Sequence, residues 1–194
     1  MKQNIVIFAS GSGSNALNVC RYFQNHSTIS VSAIFCNNPN AGIIEKIKPF
    51  QIPLVLFNKS EFNKEEEFIE SLNRFKPTVI ALLGFLWKMP AYLVHYYPHK
   101  IVNLHPALLP KFGGKGMYGH YVHEAVKAAN ETKTGISIHW VNSQYDEGEI
   151  IAQFECEIQK EDSVSNIAEK IHLLEQLHVP SVIENVLKNL SNTE

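Results

Sequence analysis

Asn103 and His105 stand two positions apart in IVNLHP (101–106), at the end of an apolar run that Pro106 stops. Alternate residues of a strand face the same side, so the amide and the imidazole project together. An amide N–H donates to an oxygen that is gaining negative charge, and an imidazole moves a proton near neutral pH. The pair therefore suits attack on a carbonyl through a tetrahedral intermediate. No serine or cysteine lies beside it as an obvious nucleophile, so the attacking group should belong to a substrate. That points to transfer between two small molecules. A third group should orient the histidine, and Asp146 in SQYDEG (143–148) is the candidate, in a polar loop where Gly148 permits a tight turn. Each residue has a plainer reading too: His105 as a hydrogen-bonded strand end, Asp146 as a turn former.

A second group lies near the start of the chain. FASGSGSNA (8–16) puts Gly11 and Gly13 between an apolar run and a helix start. Backbone N–H groups at such a turn, with the helix N-terminus behind them, favour an anion. The run from Gly11 to Ala16 formally fits the G-x-G-x-x-A dinucleotide pattern. That pattern expects an acid about 20 residues on, and the second strand ends in Cys36-Asn37-Asn38 instead. No Gly-Lys-Ser/Thr follows, which excludes a P-loop. A monophosphate held by amides, Ser14 and Asn15 remains, with a ligand-free glycine turn as the alternative.

The elements that must position these groups alternate. Strands are expected at 4–9, 31–36, 53–57, 78–84 and 100–105. Helices are expected at 15–24, near 41–49, at 64–74 and at 120–130. Alternation of this kind predicts an α/β fold with a parallel sheet and right-handed crossovers. TGISIHWV (134–141) and EIIAQFECEI (149–158) then read as an antiparallel pair, and 163–190 as a long helix or helix pair with Pro180 as a kink or restart. Asn103 and His105 thus fall at the carboxyl end of the fifth strand, where open α/β sheets bind ligands. No repeat, linker or low-complexity segment appears, so one domain over 1–194 is expected.

Composition narrows the classes. With 45% hydrophobic and 19% charged residues and a net charge of −2, the chain has no basic footprint for nucleic acid. No apolar stretch approaches the roughly 20 residues that cross a bilayer, and the N-terminus does not read as a signal peptide. The 3 cysteines, Cys20, Cys36 and Cys156, are widely spaced without CxxC, which argues against a disulfide framework or zinc site. A cytoplasmic protein is expected.

The GSGSN turn, NLHPALLPKF, YDEGEIIAQ and Glu175 in IHLLEQLHVP together resemble the phosphoribosylglycinamide formyltransferases, a folate-dependent formyltransferase family, nearly end to end. The resemblance implies a single-domain Rossmann-like formyltransferase fold, a mostly parallel twisted sheet of about seven strands with helices on both faces. It implies a phosphate-binding N-terminal half, a folate-binding C-terminal half and an active site between them. The implied reaction moves formyl from 10-formyltetrahydrofolate, a co-substrate, to the amine of glycinamide ribonucleotide, with no metal. Carried over residue by residue, Asn103, His105 and Asp146 are catalytic. Gly13, Ser14, Asn15, Pro106, Lys170 and Glu175 bind the ribonucleotide. Leu86, Trp87, Lys88, Met89, Asn103, Tyr145 and Asp146 bind folate. Small-molecule substrates, no nucleic acid, no membrane and a monomer or homodimer are the implied partners.

Rivals share the fold. A methionyl-tRNA formyltransferase normally carries a further nucleic-acid-binding domain, for which 194 residues leave no room. A formyltetrahydrofolate hydrolase usually has an N-terminal regulatory domain and does not need a phosphate turn. A non-catalytic nucleotide- or folate-binding protein has no reason to keep the Asn, His and Asp set. The chain also departs from the family pattern. The loop 112–119 is longer than in the commonest members, which leaves Lys115 and His120 unassigned: Lys115 reads as a partner for phosphate or folate glutamates, or as a solvated lysine. Trp87 stands where arginine is more usual. His120 and His123, spaced i, i+3 beside Glu124, superficially resemble a metal set without a third ligand in a recognisable pattern.

Overall fold

The computed structural model describes residues 2–191. Five parallel strands and two antiparallel ones form a single 7-stranded sheet in the order β3-β2-β1-β4-β5-β6-β7. The strands are β1 (Gln3–Ala9), β2 (Ile29–Cys36), β3 (Leu54–Leu56), β4 (Val79–Leu82), β5 (Ile101–His105), β6 (Lys133–Trp140) and β7 (Ile150–Glu157). β6 runs antiparallel to both of its neighbours, β5 and β7, the second as their short connection predicts. β1 pairs with β2 on one side and β4 on the other. That reversal of strand order opens the crevice in which α/β sheets bind ligands.

Both faces of the central strands are buried, which is why their sequences run apolar without alternation. Ile5, Ile7 and Ala9 of β1 join one core with residues of α1 (Ser14–Phe23), α2 (Ile43–Ile47), α6 (His120–Ala128) and α7 (Val164–Ser191). Val6 and Phe8 join the other, under α3 (Lys59–Phe62), α4 (Glu65–Asn73) and α5 (Ala91–Tyr96). This second core is aromatic: Phe8 and Phe35 stack at 5.2 Å, and Phe57, Phe62, Phe68 and Phe85 pack around them. The aromatics between 62 and 75 face inward, as their helical spacing predicts.

Short helices escaped the periodicity. α3 and α5 hold 4 and 6 residues, too few for a repeating apolar stripe, although Asn58 and Glu61 form a capping box at α3. The helix expected near 41–49 stops at Ile47 and continues as a 3-10 turn over Lys48–Phe50. Pro180 neither ends nor restarts the last helix: α7 runs for 28 residues through it. All three cysteines are free. Among the described residues no helix is long and apolar enough to cross a membrane.

Candidate active site

β5 turns Ile101, Asn103 and His105 to the side of the aromatic core. β6 pairs antiparallel with it, with Asn103 opposite His139 and His105 opposite Ser137. The polar residues of both strands therefore share one patch of sheet at the carboxyl end of β5. Two loops close over that patch. Ser137 pins the first, accepting from Leu109 N at 2.9 Å and donating to Ala107 O at 2.6 Å. Gln153 Nε2 donates to both Ser137 Oγ and Leu109 O. The second, after Trp140, carries Asp146 at φ 55. A Cβ on Gly148 would lie 1.7 Å from Trp140 O, so only glycine allows that loop to fold back onto β6.

The sequence-selected trio meets here. Asn103 Nδ2 donates to Asp146 Oδ1 at 3.3 Å, and His105 Nδ1 lies 3.6 Å from Asp146 Oδ2. The glycine-rich loop contacts both: Gly114 N donates to Asp146 Oδ2 at 2.9 Å, and His105 Nε2 donates to Phe112 O at 2.8 Å. A fourth member, His139, was not anticipated. Its ring is 2% exposed, its Nδ1 donates to Trp140 O at 2.8 Å, and its Nε2 lies 3.1 Å from Asn103 Nδ2 and 3.6 Å from Asp146 Oδ1. With Nδ1–H committed to Trp140 O, Nε2 is the atom that faces Asn103 and Asp146. A carboxylate only accepts, so Asn103 turns its NH2 toward Asp146, which fixes the amide's orientation.

Electrostatics follow from these contacts. Burial would raise the Asp146 carboxyl, but His139, the His105 charge and the Gly114 N–H outweigh it, and the pKa ends below the usual value. Burial pulls His105 below an ordinary histidine, against the opposing pull of Asp146 and Phe112 O. Because Nε2–H is committed to Phe112 O, the Nδ1 of neutral His105 faces a carboxylate without a proton. Protonation there makes the ion pair. The site thus holds an anionic carboxylate beside an imidazole whose burial and partner act in opposite directions, a suitable arrangement for moving one proton.

The patch is part of the wall of a cleft of about 480 Å³. Asn15, Leu86, Trp87, Lys88, Met89, Asn103, His105, Pro106, Tyr145, Asp146 and Glu175 all line it. Buried Ser10 places the 84–86 segment, since its N–H donates to Gly84 O and Leu86 N donates to its Oγ. The Trp87 ring packs against Phe57 and Phe62 with Lys59 Nζ 4.7 Å above it. Lys88 Nζ lies 5.3 Å over Tyr145. Asn15 Nδ2 donates to Glu175 Oε2 at 2.8 Å. Burial raises the Glu175 carboxyl, countered by Asn15 and His172.

Gly13 and Ser14 adjoin the cleft without lining it. Gly13 caps α1 at φ 73 with no capping side chain, and a Cβ there would meet Ile43 at 2.4 Å. Lys46, unremarked in the sequence, donates to Ser12 O at 3.1 Å and brings a positive charge to the turn. Lys170 is not brought to the cleft: its ammonium binds the Asp162 carboxylate and Glu157 O. Lys115 lines the cleft and His120 does not, its ring lying 4.0 Å from that of Tyr121 instead. Among the described residues no three His, Cys, Asp or Glu side chains are grouped as metal ligands.

A family model described as formyl transferase matches residues 3–183. The chain belongs to the formyl transferase family. A phosphoribosylglycinamide formyltransferase of Bacillus subtilis is 37% identical over 190 residues, 95% of each chain. Two solved structures of formyl transferases superpose on it closely. The phosphoribosylglycinamide formyltransferase of Bacillus halodurans gives a TM-score of 0.85 at 29% identity, covering 99% of this chain and 97% of its own. Glycinamide ribonucleotide transformylase 1 of Geobacillus kaustophilus gives 0.87 at 28%, covering 96% and 100%. The formyl transferase fold expected from the sequence, seven strands with helices on both faces, is the one observed.

Proposed function

We propose that the chain transfers the formyl group of 10-formyltetrahydrofolate to the amine of glycinamide ribonucleotide, a step of purine biosynthesis carried out in the cytoplasm. The observation that carries this reading is the meeting of Asn103, His105 and Asp146 at 3.3–3.6 Å in the cleft of a formyl transferase. The donor lies along Leu86–Met89 and Tyr145. The acceptor lies toward Asn15, Pro106 and Glu175, its phosphate at the amides of Gly13, Ser14 and Asn15 with Lys46 beside them. Both halves of the chain build this single cleft: the donor segment 86–89 comes from the first half, and Pro106 and Glu175 on the acceptor side come from the second.

The acceptor amine attacks the formyl carbon. Asn103 and protonated His105 donate to the oxyanion, and each exchanges a protein acceptor for the substrate oxygen: Asp146 Oδ1 in one case, Phe112 O in the other. Asp146 orients His105 and takes part in moving the proton from the amine to the departing folate nitrogen. Its anionic form, stabilised by neighbouring donors, also stabilises the imidazolium as it forms.

Incubation with glycinamide ribonucleotide and 10-formyltetrahydrofolate should give formylated product, and His105→Ala should abolish most of it. Folate deformylation with release of free formate and no product would instead indicate a hydrolase.

A further inference from the structure

His123 lies on α6 in the wall of the same cleft, and nothing above uses it. The residue is 7% exposed, and its Nδ1 is sealed from solvent with no hydrogen-bond partner. Among the described residues only Asn37 Oδ1 and Thr134 Oγ1 share that condition, and neither residue lines the cleft. An unpaired buried nitrogen costs the desolvation of that group with no return. An apolar side chain of similar size would serve the packing of α6 better. Among the described residues Nε2 finds no hydrogen-bond partner either, and it is not sealed: on a residue that lines the cleft, it is the nitrogen that can meet a partner arriving with a ligand.

We infer that His123 binds the acceptor substrate, through a hydrogen bond to a neutral hydroxyl or amide of the ribonucleotide. The inference rests on reading the cleft as a formyl-transfer site. Position selects the acceptor over the donor: α6 packs against α7, which carries Glu175, whereas the donor segment 86–89 and Tyr145 come from other loops. Charge selects a neutral group over the phosphate. Burial, with His120 and His105 nearby, holds the imidazole below its usual pKa, so near neutral pH it carries one donor and one acceptor nitrogen. A ribose hydroxyl or glycyl amide matches that pairing, and phosphate does not.

Calorimetric titration of glycinamide ribonucleotide into the parent, His123→Leu and His123→Gln tests this. Leu should weaken acceptor binding about tenfold, the size of one lost hydrogen bond. The donor KM should stay within about twofold and the melting temperature should be equal or higher. Gln, whose amide nitrogen can occupy the place of Nε2, should recover most of the affinity. His123→Phe provides a second apolar variant and should behave as Leu does. Unchanged acceptor affinity in both apolar variants would overturn the inference. So would equal weakening by Leu and Gln accompanied by lower melting, which would mark a packing role. Failure of the parent itself to bind the ribonucleotide would overturn the acceptor assignment instead, and the two failures are distinguishable.

Discussion

Two walls of one cleft are built on opposite terms. Where β5 meets β6, the polar side chains hold one another or the backbone: Asn103 to Asp146 and His139, His105 to Phe112 O and Asp146, His139 to Trp140 O. On the wall formed by the 114–119 loop and α6, glycines at 114, 116 and 119 adopt positive φ and His123 leaves a buried nitrogen unpaired. On the proposed reading, the first wall holds its groups for chemistry, while the second holds capacity in reserve for a ligand. Pre-organisation of that kind should appear in turnover, and reserved capacity in binding.

The largest expected effect comes from removing the proton-handling charge. Asp146→Asn should lower kcat by about 10²–10⁴, the range for general acid–base catalysis, while leaving the acceptor Kd nearly unchanged. A change confined to KM would erase the distinction between the walls. Gly148→Ala comes next, because its Cβ meets Trp140 O and the Asp146 loop must shift. A loss of about 1–3 kcal/mol of stability is expected from overpacking of this kind, with kcat reduced; denaturant unfolding beside a turnover assay measures both. The tenfold affinity loss in His123→Leu follows.

The smallest effect is a pH dependence of stability. His105 and His123 both have folded pKa values below the ordinary histidine. On acidification the unfolded chain takes up protons first, so stability should fall as pH drops below about 6.5. Asp146, also depressed, contributes stability that is lost only below about pH 4. Thermal melts from pH 7.5 to 5 should show the first decline, and His123→Leu should make it shallower. A flat profile in the parent would contradict the assigned directions.

Legibility followed the range of the interaction. Asn103 and His105 could be read because strand period and Pro106 are local, and the chain order of elements gave the parallel sheet with its antiparallel edge. His139 could not, since its role depends on the antiparallel register that sets it opposite Asn103, 36 residues away in the chain. The available signal was a polar residue inside the apolar run TGISIHWV. Ser10 and Lys46 also act through contacts distant in sequence, 76 and 34 residues apart. Lys170 was carried over beside Glu175, but five helical residues rotate a side chain by about 140°, away from the cleft and toward Asp162. Trp87, read as a departure from the family, proves to be the cleft-side edge of the aromatic core.

The central claim is that the bound wall performs the chemistry. Single-turnover formyl transfer by Asn103→Ala, with both substrates saturating, tests it most directly. Loss of one oxyanion donor predicts a rate lower by about 10²–10³ with acceptor affinity largely kept. A rate within a few-fold of the parent would contradict the account.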